Sequence, residues 1–152
     1  MTEERKNTWQ FPVPLKLTII WIYLISMFRF YDAVTGLIFN FFIDLTDWVA
    51  AFVFLGLANG LASGNNSSRI WTICLVSLGS LIRLYLLAVI LIKDIDPIGI
   101  LRFFSYDVPL TGVQLIILLG LNLVINAGVI LTLAKSEIKE FFLPQTLRQE
   151  TK

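Results

Sequence analysis

The sequence predicts an all-α membrane protein, a bundle of four transmembrane helices with both termini in the cytoplasm. Of its 152 residues, 57% are hydrophobic and 15% are charged, and the mean hydropathy is +0.79. Soluble domains have about 45–50% apolar and about 25% charged residues, so this excess is too large for one soluble core. Residues 48–68 and 108–134 carry no charge, and each stretch can cross the roughly 30 Å of bilayer hydrocarbon.

Four apolar stretches divide the chain into helices within a single integral membrane domain, residues 1–152. Arg29 and Asp32 lie inside the first stretch, and the apolar flank on either side is too short to span a membrane alone. One long first helix, bent near Gly36, is therefore the simplest interpretation. The third helix contains one internal charge, Arg83. The helices are expected at about 15–43, 47–64, 69–92 and 109–135.

The connections contain turn-forming and helix-starting residues. Residues 63–68 are rich in Ser, Gly and Asn, which favours a tight turn between the second and third helices. Asp96 and Pro97 are typical of a helix start, with Asp as the N-cap and Pro in the first turn. The segment of about 97–106 is apolar and aromatic, and we expect it to lie along the membrane interface. Pro109 is predicted to open the fourth helix.

The distribution of basic residues predicts the orientation. Eight Lys and Arg residues fall on the side of the two termini, whereas Lys93 and Arg102 fall on the other. Because basic loops stay inside the cell, both termini, including the tail 136–152, are predicted to be cytoplasmic. The eight residues are Arg5, Lys6, Lys16, Arg69, Lys135, Lys139, Arg148 and Lys152.

Three helices place a strongly polar side chain at a similar depth. Counted from the basic residue at the rim of each helix, Arg29, Arg83 and Asn122 lie thirteen or fourteen residues inside, which is about 20 Å. Asp32 follows Arg29 on the same helix face and is a natural ion-pair partner for either arginine. Asn126 lies one turn from Asn122. Charges inside hydrocarbon are costly, so we expect these side chains to form an inward-facing cluster.

Three interpretations of this intramembrane cluster remain open. Its members could hold the helices together, as polar side chains in membranes often do, or the arginines could extend to the interface. They could instead contact a partner subunit. They could also form a substrate or ion site, because two arginines against one aspartate leave one positive charge in excess.

The second helix has a stripe of small residues. Gly56, Gly60 and Gly64 are four apart, a spacing that lets membrane helices approach closely. We interpret the stripe as a helix-packing face within the bundle, with a face for a partner or a second copy as the alternative.

The composition excludes most chemistry. The chain has no histidine and one cysteine, Cys74, so the commonest metal ligand and general base are missing and a disulfide within the chain is impossible. A net charge of +1 indicates no nucleic-acid partner. The sequence shows no catalytic motif, and Asp32 alone is a weak basis for catalysis. We therefore predict no enzyme activity, no catalytic or metal-binding residue and no cofactor.

Two stretches match the pattern of a known group of proteins. One is residues 60–61 followed by 69–71; the other is Asn126, then Leu133, then residues 136–142. In these residues the chain resembles small uncharacterised bacterial four-helix integral membrane proteins. The resemblance implies four helices, and we expect the bacterial inner (cell) membrane as the location. It implies no activity, and the charged residues of the first helix have no counterpart in the pattern.

The expected function is that of a non-enzymatic accessory or scaffold subunit that packs against membrane lipids and other membrane proteins or a second copy of itself. The alternative is a small transporter or channel component that binds an anionic solute at Arg29 and Arg83.

Overall fold

Four long helices form a bundle in a computed structural model that describes residues 11–40, 45–93, 99–103 and 106–142, with side chains for 11–38, 45–92 and 109–142. All four are long and apolar enough to cross a membrane, which confirms the predicted all-α architecture of four candidate spans. The elements are α1 (Val13–Asn40), α2 (Leu45–Ala62), α3 (Asn66–Lys93), β1 (Gly99–Phe103), β2 (Tyr106–Leu110), α4 (Gly112–Ala134) and α5 (Ser136–Phe141).

The buried core lies at one end of the bundle, where α1 begins and α4 ends; we call this the near end. Each helix except α3 contributes fully buried side chains to this core, and α3 adds the partly buried Ile73 and Val76. The ring of Phe11 packs edge-on against that of Phe141 at 5.9 Å between centroids, so the two described ends of the chain meet here. The core residues are Phe11, Leu15, Ile19, Ile22, Ala58, Leu61, Val129, Leu133, Ile138 and Phe142.

The turn between α2 and α3 closes the near end. Gly64 has a φ of 76°, a left-handed conformation that favours glycine. Its N–H donates to the carbonyl of Leu61, and that of Asn65 donates to the carbonyl of Gly60, a hydrogen-bond pattern that ends many helices. The Asn65 side chain also accepts from the N–H of Ser67 at 2.9 Å. Because Asn65 thus caps α3, this helix begins at Asn66, three residues before the predicted start.

The connection between α3 and α4 contains two strands that were not predicted from the sequence. Strands β1 and β2 pair antiparallel, with Gly99 opposite Leu110 and Phe103 opposite Tyr106; the position of the segment of about 97–106 along the membrane interface stays a prediction. Pro109 lies within β2, so the prediction that it opens α4 was wrong. The helix begins after Thr111 because its side chain and that of Gln114 each accept from the other's backbone N–H, a capping box that satisfies two otherwise unpaired donors.

Some predictions concern residues outside the described ranges. They are the helix start at Asp96 and Pro97, the last residues of the predicted first helix at 41–43 and most of the tail 136–152, of which 143–152 are not described.

Candidate functional site

Three polar contacts follow one another along the interface between α1 and α2. Their α1 members, Tyr23, Ser26 and Arg29, are three residues apart. The Tyr23 hydroxyl donates to the side-chain oxygen of Asn59. The Ser26 hydroxyl donates to the carbonyl oxygen of Ala51 at 2.8 Å. Because these contacts pair polar groups of one helix with those of the other, they hold this helix pair in register.

Arg29 forms an ion pair with Asp47 at the start of α2, the third of these contacts. Its Nη1 lies 2.8 Å from Asp47 Oδ1, and the two side chains are 49% and 12% exposed. Asp47 lies in the first turn of α2, where the helix dipole favours a negative charge. Asp32, named from the sequence as a natural partner, is half-buried one turn further along α1. Asp47 was not among the cluster residues predicted from the sequence.

The Arg29–Asp47 pair should contribute measurably to stability. We expect a double-mutant cycle with Arg29→Leu and Asp47→Asn to give a coupling energy of about 1 kcal/mol. This value is above the average both for exposed ion pairs and for polar contacts between membrane helices, and below the largest values for such contacts. Unfolding of the purified chain in a mild detergent measures it. The same cycle on Arg83 and Asp47 is the control and should give no coupling. A coupling for Arg29 and Asp47 below about 0.3 kcal/mol would contradict the assignment.

Arg83 lies at the level of this ion pair. Gly60 and Ser68 mark where α2 and α3 touch. From there Asp47 is 13 residues along α2, and Arg83 is 15 residues along α3. The guanidinium folds back over its own helix, because a Cβ added at Gly79 would lie 2.9 Å from Arg83 Nη1. By this count Arg83 is near the level of the Arg29–Asp47 pair, but of the two arginines only Arg29 has an ion-pair contact among the side chains that the structure describes.

The two asparagines of α4 have different surroundings. The Asn126 amide donates to Ser80 Oγ at 3.1 Å, and that hydroxyl donates to the carbonyl of Val76, so Asn126 joins α4 to α3. Asn122 lies one turn away on the same face of α4 and is exposed. The predicted cluster is thus divided between a contact on the α1–α2 side and one on the α3–α4 side.

The three glycines of the predicted stripe also have different roles, and Gly64 lies in the turn after α2. At Gly56 an added Cβ would meet no atom within 4 Å, whereas at Gly60 it would clash with Ser68 Oγ and lie 2.6 Å from Ser68 Cβ. Gly60 therefore permits the close approach of α3, and Gly64 forms the turn. Of the predicted helix-packing stripe, the structure assigns the packing contact to Gly60.

Arg69 is a structural residue that sequence analysis missed. It is 8% exposed, its Nη1 donates to the carbonyl of Leu133 at 2.9 Å and its Nε to Asn66 Oδ1 at 2.9 Å. The guanidinium carbon lies 6.0 Å from the centre of the Phe142 ring. Arg69 thus joins the start of α3 to the end of α4. One signal was present: a cation near a helix start is disfavoured by its own helix dipole, which suggests an acceptor elsewhere.

The charged side chains of α1, α2 and α3 at this level balance one another. Arg29, Asp32, Asp47 and Arg83 carry formal charges that cancel, so the positive excess inferred from the sequence disappears once Asp47 is included. Among the residues that the structure describes, no group of three or more His, Cys, Asp or Glu could hold a metal ion.

Fold and contacts together define a class: a helical bundle with four helices capable of crossing a membrane, joined by sparse polar contacts above a small apolar core. In comparisons with known proteins, no family model, no curated protein and no solved structure matches this chain.

Proposed function

We propose that this chain is an integral membrane protein that acts as a non-enzymatic accessory or scaffold subunit, packing against other membrane proteins and lipids. The observation that carries the proposal concerns α3. The most apolar 18-residue window of this helix contains no buried residue, and its large side chains, such as Leu78, Leu81 and Tyr85, are more than half exposed. An apolar surface of this extent is typical of a face covered by lipid or by another protein.

The near end supports an orientation with both termini in the cytoplasm. The two described chain ends meet there, so they lie on one side of the bundle. The described basic residues at this end are Lys16, Arg69, Lys135 and Lys139, and the positive-inside rule places such an end in the cytoplasm. With the resemblance to small bacterial membrane proteins, this favours the bacterial inner membrane.

Anion transport is the alternative, and the geometry favours it less. Because Asp47 neutralises Arg29, a solute would be attracted by Arg83 alone. An anion flux in liposomes that disappears in Arg83→Leu would support this alternative over the accessory role.

The accessory role predicts a stable complex. Purified from native membranes in a mild detergent, the chain should elute with other membrane proteins in a fixed ratio, at a size well above its 17.3 kDa. The matched control is an unrelated four-helix protein of similar size carrying the same tag. Elution as a monomer in several mild detergents would contradict the proposal.

A further inference from the structure

Arg83 has no charge partner among the residues that the structure describes, although it lies in the middle of a candidate span. In α3, Arg69, Thr72, Val76 and Ser80 lie on one side of the helix, three or four residues apart. Arg83 continues this row at helical spacing. Arg69, Thr72 and Ser80 each form a hydrogen bond in the structure. Of the polar residues named in this row, Arg83 is therefore the one whose donors are available to bind another molecule.

The depth of the Arg83 guanidinium in the membrane decides which kind of ligand can reach it. By lying against Gly79, it sits about ten residues beyond Arg69 along the helix, or about 15 Å. That is half of the roughly 30 Å of hydrocarbon, so the group lies near the middle of the bilayer in the proposed orientation. A lipid headgroup stays at the interface, whereas a side chain of a neighbouring transmembrane helix reaches this depth.

The α4 side of the same region is open. Asn122 lies on the face of α4 that carries Asn126, Val129 and Leu133, the face turned to the rest of the bundle, yet Asn122 is exposed. The core side chains of α4, Val129 and Leu133, lie towards the near end. An amide left open in hydrocarbon is unfavourable, and a helix that entered here would give it a partner.

We propose that Arg83 and Asn122 form a docking site for a transmembrane helix of a partner protein that carries a carboxylate near mid-membrane. The carboxylate pairs with the guanidinium, and the Asn122 amide donates to the same helix. Charge complementarity selects the partner, because an aspartate or glutamate in hydrocarbon needs a cation as much as Arg83 needs an anion. This inference rests on the accessory role proposed above and specifies the partner that it requires.

A designed helix tests the site. The probe is a synthetic transmembrane peptide, a Lys-flanked leucine helix of about 20 residues with one central Asp, and a matched peptide with Asn at that position. The full chain, in vesicles of phosphatidylcholine, is labelled at Cys74, which is exposed and lies nine residues from Arg83, on the opposite side of α3. Energy transfer to a labelled peptide measures binding.

We expect the Asp peptide to bind about tenfold more tightly than the Asn peptide, a difference of about 1.4 kcal/mol. Arg83→Gln should abolish this preference, and Arg83→Lys should keep most of it. Asn122→Leu should weaken the binding of both peptides severalfold. Val124→Ala, at an exposed residue on the side of α4 opposite Asn122, is the control and should change the binding of neither peptide. Unfolding in detergent checks that Arg83→Gln remains folded, since this side chain has no partner to lose in the described structure.

Equal binding of the two peptides, or a preference that survives Arg83→Gln, would overturn the proposal. Loss of the preference in vesicles that contain phosphatidylglycerol, or on adding inorganic phosphate, would assign Arg83 to a lipid headgroup or a small anion and would overturn it as well. A native complex that Arg83→Gln leaves intact would remove this inference and keep the accessory role; a lone monomer would remove the accessory role.

Discussion

Replacing Arg69 by leucine is expected to lower the free energy of unfolding by about 3 kcal/mol. The guanidinium donates to the carbonyl of Leu133 in the last turn of α4, where carbonyl groups have no partner within the helix. A hydrogen bond from a charged group contributes about 1.5–3 kcal/mol, and a buried acceptor left unpaired costs about 1–3 kcal/mol. The packing of the guanidinium on the Phe142 ring is lost as well. Unfolding of the purified chain in a mild detergent measures the change.

Two further variants separate the contributions of Arg69. Arg69→Lys keeps the charge but loses the fork of donors that reaches both Leu133 and Asn66, so it should give an intermediate loss. Lys139→Ala removes an exposed basic residue of α5 and should stay within about 0.5 kcal/mol of the parent chain. The C-terminal segment should also be cut faster by protease in Arg69→Leu, because Phe142, which follows α5, loses its contact with the guanidinium. If Arg69→Leu unfolds like Lys139→Ala, the assigned role is wrong.

The second large effect on the free energy of unfolding is expected from Gly60→Ala, which adds one methyl group to α2. Alanine is the better helix former by up to about 1 kcal/mol, so on propensity alone Gly60→Ala would stabilise α2. The new Cβ would, however, lie 2.6 Å from Ser68 Cβ, and a rotation of the hydroxyl cannot remove that clash. The helices must separate, and overpacking of this kind costs about 1–3 kcal/mol. We expect net destabilisation in the same unfolding measurement.

Gly56→Ala is the matched control for Gly60, four residues away on the same helix. With no atom within 4 Å of the added Cβ, this variant should be neutral or stabilising. Ser68→Gly removes the atoms that clash, so it should restore part of the stability of Gly60→Ala, with a coupling of about 1 kcal/mol in a double-mutant cycle. Equal effects at Gly56 and Gly60 would show that helix propensity, not packing, governs this helix.

The four candidate spans could be predicted from the sequence because hydropathy adds up residue by residue along the chain. Helix ends were less accurate. The start of α3 moved to Asn66 because the Asn65 side chain caps it, and the start of α4 moved to Gly112 because Thr111 and Gln114 satisfy each other's backbone donors. Each helix start depends on which of several suitable polar residues caps the helix. The pairing of β1 with β2 depends on contacts between two short segments, and neither segment differs in composition from an interfacial stretch.

The candidate site likewise has features that could be predicted from the sequence and features that depend on contacts between helices. The similar depth of Arg29 and Arg83 follows from counting residues, because each residue of a helix rises by a constant 1.5 Å. Counting cannot say how each helix is rotated or which neighbour it meets. The partner of Arg29 therefore had to come from the packing of α1 on α2, which brings in Asp47. The burial of Arg69 likewise required the end of α4 to reach the start of α3.

By itself the sequence determined the fold class, the number of candidate spans and the residues whose polarity is unusual at their depth. Tertiary structure alone decided the ion-pair partner of Arg29, the glycine that carries a packing contact and the anchoring role of Arg69. The physical reason is that the hydrophobic effect is non-directional and scales with apolar area, so it is visible in composition. Ion pairs, hydrogen bonds and close helix contacts act over a few ångströms between residues far apart in the chain, and only the packed helices bring those residues together.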